Sequence, residues 1–200
     1  MKSLPIAAAI ALLATSAQAR DLAIHAGTLI DGVSATPRHA VTILVHDDRI
    51  TSVADGYQAP AGAEVVDLTA RTVLPGFIDP HVHCPQLEVI GSYGTELLDW
   101  LKRYTFPAET AFADPARSHA GAEVFLDALL ASGTTSAVVF PTVHKVSAEA
   151  LFESAAARGM RLVTGKVLMD RHAPDGLRDD VAQAEKDCID LISRFHGRDR

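Results

Sequence analysis

The chain has no cluster of lysine and arginine, only two cysteines, and no apolar run long enough to span a bilayer. Each shortage closes off a class of function. Without a basic stripe, or basic residues interleaved with aromatics, phosphate-backbone binding lacks its electrostatic footprint, and a formal net charge of −7 at pH 7 repels nucleic acid. Cys84 and Cys188 allow at most one disulfide, in an oxidising compartment, and the sequence leaves open whether they meet. There is no internal repeat, and no low-complexity tract beyond the alanine-rich start. What is present, 48% hydrophobic and 22% charged residues, is the composition of an ordinary soluble globular chain.

The start reads as an export leader. Lys2 supplies a positive end, residues 4–14 are apolar, and Ala17-Gln18-Ala19 fits the small-x-small cleavage pattern. The apolar stretch is too short for a membrane anchor and has no stop-transfer partner. Cleavage after Ala19 is therefore expected, with a periplasmic or secreted product and no membrane partner.

Residues 20–73 carry short β-rich runs at 22–25, 40–45, 49–53 and 64–68. Asp47-Asp48 reads as a hairpin turn, and Ala59-Pro60-Ala61-Gly62 as a loop before the last run. A small β-domain is expected here. From residue 74 onward helix and strand signals alternate, the mark of βα units on a parallel sheet. A short helix is predicted over 97–104. The next helix has Asp114 as its cap, Pro115 at its first position and Gly133 past its end. A strand over 134–140 follows, then a helix capped by Ser147 and stopped by Gly159, a buried strand over 161–167, and a helix over 180–195 ended by Gly197. The fold class is α/β: a β-domain followed by three βα units.

The densest chemistry lies in Val73-Leu74-Pro75-Gly76-Phe77-Ile78-Asp79-Pro80-His81-Val82-His83. Residues i and i+2 of a strand share a face, so both imidazoles can reach one metal ion. Imidazole suits zinc or iron, and a catalytic zinc takes three protein ligands and an open position. Two histidines are therefore half a site. The plainer reading is a strand end that happens to carry two polar residues. Asp79 could serve as an outer acceptor for the pair. Cys84 could instead be a thiolate ligand, but strand alternation turns it away from both histidines.

The Pro75-to-His83 run resembles the first-strand signature of the amidohydrolase superfamily. That resemblance implies a metal-dependent (β/α)8 barrel, TIM-like, with this motif at the C-terminal end of strand one. It also makes residues 20–73, with Gly27-Thr28-Leu29-Ile30-Asp31-Gly32, similar to the N-terminal part of the composite, urease-like β-sandwich of these proteins. Further on, His81-Val82-His83-Cys84-Pro85-Gln86, Leu97-Leu98-Asp99-Trp100-Leu101, Tyr104-Thr105-Phe106-Pro107-Ala108-Glu109, Gly133-Thr134-Thr135, Thr142-Val143-His144 and Gly165-Lys166-Val167-Leu168-Met169-Asp170-Arg171 look like the guanine deaminase family. The resemblance implies hydrolysis of guanine to xanthine and ammonia with one zinc. It carries His81 and His83 over as metal ligands and Gln86 as a contact to the purine, or to a related small cyclic amidine. An amide offers donor and acceptor together, as the paired edge of a purine requires. Trp100 is open between a pocket wall and core, and Phe106 is assigned to core. His144, just past a strand, is open between pocket and plain loop. Lys166, on the third strand, is similar to the carbamylated lysine that bridges two metals in some amidohydrolases, but more simply reads as a charged residue at a barrel mouth or end.

Two features depart from the guanine deaminase pattern. The leader, and a block over 24–74 closer to exported Xaa-Pro dipeptidase or imidazolonepropionase-like amidohydrolases, keep hydrolysis of an amide or Xaa-Pro dipeptide bond as an alternative. A full barrel takes about 250 residues, and only three βα units are recognisable. The family's other metal-binding histidine, its catalytic Glu and its late Asp belong to later strands, so catalytic residues are expected beyond residue 200 and the chain alone is expected to be inactive. A non-catalytic assembly module is a further alternative, and self-association into a homo-oligomer stays open.

Overall fold

Val41, Ile43 and Val45 recur every second residue, and that period makes Arg38–His46 a strand (β2) with one apolar face. The computed structural model describes residues 20–198, which fall into two units, 20–75 and 76–198. The leader expectation concerns residues 1–19 and lies outside the described residues. In the first unit β2 pairs antiparallel with both β1 (Asp21–Leu29) and β3 (Arg49–Asp55), while β4 (Glu64–Val73) runs parallel to β1, giving the order β3-β2-β1-β4. Asp47, at φ 54°, makes the tight β2–β3 turn with Asp48. Ala26, Leu29, Val41 and Ile43 form the buried face. Each of the four strands expected in this unit is present and longer than the sequence suggested.

The second unit is a parallel sheet of three strands in the order β5-β6-β7: Phe77–His83, Thr134–Phe140 and Arg161–Thr164. Helix α3 (Pro115–Ala131) connects β5 to β6, and α4 (Lys145–Ala157) connects β6 to β7. Their apolar faces meet the sheet in a core of Phe125, Leu126, Leu151, Ala137 and Val139. Arg158 fastens α4 to α3 through Asp127 (2.9 Å) and Glu123 (2.7 Å). The start of β5 is fixed by close approach: a Cβ on Gly76 would lie 2.0 Å from Thr135 Oγ1, and the Phe77 N–H donates to the Gly133 carbonyl at 2.8 Å.

Local helix signals were accurate where a side chain acts on its own backbone. Asp114 accepts from the N–H groups of Ala116 and Arg117, with Pro115 first in the helix, and Asp180 accepts from Gln183 N–H to start α5 (Val181–Phe195). Three expectations need correction. The helix predicted over 97–104 continues: α1 (Leu97–Trp100) passes through a π-helical stretch, Leu101–Thr105, into α2 (Phe106–Ala111). Pro107 cannot donate, and the Phe106 N–H reaches back five residues to Leu101 O, which widens the turn ahead of the proline ring. Ser147 is not a cap, since α4 begins after His144; Ser147 lies buried in the first turn, with its hydroxyl against the His144 carbonyl and Thr142 Oγ1. Strand β7 ends at Thr164 and is not buried, with Val163 59% exposed. Past it the Val167 N–H leaves the sheet for the Thr142 carbonyl, and no strand covers the far edge among the described residues.

Phe106 packs against Val143, Ala173 and Leu177, as core. One turn along, Glu109 is buried with its carboxyl pushed up to about 7 from 4.5 by loss of solvation. A carboxyl whose folded pKa lies above its unfolded value favours the fold most when protonated, so stability falls as pH rises from 4.5 to about 7. By linkage the ionised form costs about 3 kcal/mol. Replacing Glu109 with Gln should therefore flatten this loss: in urea unfolding, variant and wild type should be close near pH 4.5 and diverge in the variant's favour by up to about 3 kcal/mol near pH 8. Parallel pH profiles would show that Glu109 is solvated in the folded chain.

Candidate metal centre

Pro80 has no N–H for a sheet ladder, and the chain bulges there. Asp79 pairs with Ala137, but Val82 pairs with Val139, so β5 carries one residue more than β6 between these pairs. The His81 N–H finds its acceptor in Asp79 Oδ1 at 3.0 Å. Asp79 thus serves the His81 backbone rather than an imidazole, a correction to its expected outer role. The bulge re-aims His81 so that its Nε2 lies 3.2 Å from that of His83.

That separation suits a shared ion. Two ligand nitrogens at about 2.0–2.1 Å from a tetrahedral metal stand roughly 3.3–3.4 Å apart. The two imidazoles therefore fit a zinc ion, or iron, with little movement. Burial, and then the neighbouring His81, lower the His83 pKa below its usual 6.5, which favours the neutral form that a metal requires. Among the described residues no group of three or more His, Cys, Asp or Glu side chains converges as a metal site.

Gln86 sits in the 3-10 turn Cys84–Val89 directly after β5 and lines, with His81 and His83, a groove of about 560 Å3 that extends along the edge of β5 to Phe125 and Leu129 of α3. Trp100 is not in this groove. Its indole N–H donates to Ser92 Oγ at 3.0 Å, and Ser92 donates to the Val89 carbonyl at 2.7 Å, so the ring pins the loop after the 3-10 turn. Cys84 is buried in the core and its thiol is pushed up to about 12 by burial, so it is not a thiolate ligand; it and Cys188 are both free. The buried Lys166 is ion-paired with Asp179, whose other oxygen accepts from Met169 N–H at 3.0 Å. That pairing removes the carbamylated-lysine reading. His144 follows β6 with its Nε2 buried and unpartnered among the described residues, and with its pKa lowered by burial and by Lys166.

One contact had no warning in the sequence. Phe140, paired in register with His83, lies 4.9 Å from the His83 ring centroid at an interplanar angle of 13°, and 4.8 Å from that of His81. An aromatic at the end of a buried-looking strand reads as core; only the β5–β6 register shows otherwise.

The sequence model of the amidohydrolase family matches residues 72–198. The guanine deaminase of Escherichia coli is 42% identical over 144 residues, 72% of this chain and 33% of that protein. The crystal structure of guanine deaminase from Bradyrhizobium japonicum superposes with a TM-score of 0.84 at 34% identity, covering 90% of this chain and 42% of that one. The guanine deaminase of C. acetobutylicum, solved with guanine in its active site, gives 0.76 at 29% identity, covering 90% and 44%. The chain thus spans about a third of the E. coli relative's length and under half of each solved chain.

In a proton NMR titration of the metal-free chain, the His83 ring should titrate below 6.5. Replacing His81 with Ala should raise that midpoint part of the way, since the neighbouring charge is lost while burial remains. A wild-type midpoint above 6.5 would place His83 in solvent or beside an acid.

Proposed function

The chain belongs to the amidohydrolase family, and from that premise we propose that it carries the metal-binding and purine-recognising strand end of a zinc-dependent guanine deaminase. The observation that supports this most is the convergence of His81 and His83 Nε2, with Gln86 in the same groove at the C-terminal end of β5. A bound zinc would supply a water acidic enough to attack a ring carbon at neutral pH. The chain's own residues do the rest of the work at this end. His81 and His83 hold the ion as neutral imidazoles. Gln86 presents its carbonyl and NH2 to one edge of the purine and so sets which ring carbon faces the metal.

The family resemblance assigns a further histidine ligand and the carboxylates that move protons to later strands of a complete barrel. The activity is therefore tested best in a graft that places this chain in the matching region of E. coli guanine deaminase. The graft should deaminate guanine, lose turnover with His81→Ala or His83→Ala, and show a higher KM for guanine with Gln86→Ala. A folded, zinc-loaded graft that leaves guanine intact but cleaves Xaa-Pro dipeptides would overturn the assignment in favour of an amide or dipeptide hydrolase.

A further inference from the structure

Three rings at the C-terminal ends of β5 and β6 form a nearly equilateral triangle, with centroid separations of 4.8, 4.9 and 5.1 Å among His81, His83 and Phe140. We propose that Phe140 is a positioning residue for the metal centre: its ring is the platform that keeps both imidazoles convergent when the ion binds. The proposal rests on the metal reading above.

Register is the first support. His83 and Phe140 are paired across parallel strands, which sends their side chains to one face, while Val139 turns the other way into the core at 3% exposure. Phe140 itself is 37% exposed, so burial in the hydrophobic core does not account for its placement. The two imidazoles cover it, one stacked at 13° and one tilted at 43°.

Hydrogen bonding is the second. Metal-binding histidines are ordinarily oriented by a partner on the other ring nitrogen. Among the described residues neither His81 nor His83 has a partner at Nδ1, and their one ring hydrogen bond is to each other. In that bond one Nε2 carries the proton and the other accepts it. A shared ion needs both Nε2 lone pairs, so on binding that proton moves to Nδ1 of the same imidazole, which stays neutral, and the mutual bond dissolves. The face of Phe140 is then the contact left to hold both rings.

The test compares the full chain with Phe140→Leu, which keeps apolar bulk and removes the ring, and Phe140→Tyr, which restores the ring. Zinc affinity is read by competition with a chromophoric chelator, with His81→Ala as the site control. Ring order is read in the metal-free state by NOEs between the two imidazoles and by the ring-current shift of His83. Phe140→Leu should weaken zinc by about tenfold or more, with Phe140→Tyr within about twofold of wild type, and with similar unfolding midpoints for all three chains. Wild-type zinc affinity in Phe140→Leu would overturn the proposal. Should His81→Ala bind zinc as wild type does, the metal reading itself fails, and the NOEs decide the platform alone: lost in Leu and kept in Tyr supports it, kept in both overturns it.

Discussion

The pairing of β5 with β6 is the constraint on which the rest of this site depends. Gly76 lets the two strands close at their base, where any side chain would strike Thr135. Pro80 then forces a bulge, and the extra residue turns His81 until its Nε2 meets that of His83. At the last pair of the ladder the register sets Phe140 beneath both rings. A slip of one residue would turn both histidines to the face away from Phe140.

The ends of β6 and β7 are organised by buried polar groups instead. Thr142 and Ser147 bond each other and the His144 backbone, closing the turn into α4. Lys166 and Asp179 tie the segment after β7 to the start of α5, and the Asp179 backbone N–H adds a bond to the Met169 carbonyl at 2.8 Å. A buried ion pair adds little net stability over apolar packing, but removing one partner strands the other charge. Its contribution here is to fix one path for an irregular segment at the C-terminal side of the strands, where α/β proteins bind their ligands.

What the sequence revealed follows from how local each cause is. Asp114, Pro115 and Gly133 act within one turn of their own helix and were read correctly, whereas Asp180, which caps α5, was read only as the first residue of that helix. The H-x-H pair was legible because a period of two survives in its outcome, although the bulge that produces the convergence was not. Ser147 misled because a cap is recognised by residue type, while its hydroxyl bonds across a turn. The end of β7 depends on Thr142 and Asp179, far away in sequence. Trp100 stayed ambiguous because its partner, Ser92, lies outside any periodic pattern. Phe140 was invisible as part of the site, since register is a property of two strands.

The central claim is that His81 and His83 together hold one ion. Zinc K-edge X-ray absorption on the loaded full chain tests it most directly. The account predicts two imidazole nitrogens at about 2.0–2.1 Å, with oxygen filling the other positions, and loss of an imidazole in His81→Ala. A sulfur shell at about 2.3 Å would move the metal to a cysteine, and a spectrum unchanged by His81→Ala would remove the metal from β5 altogether.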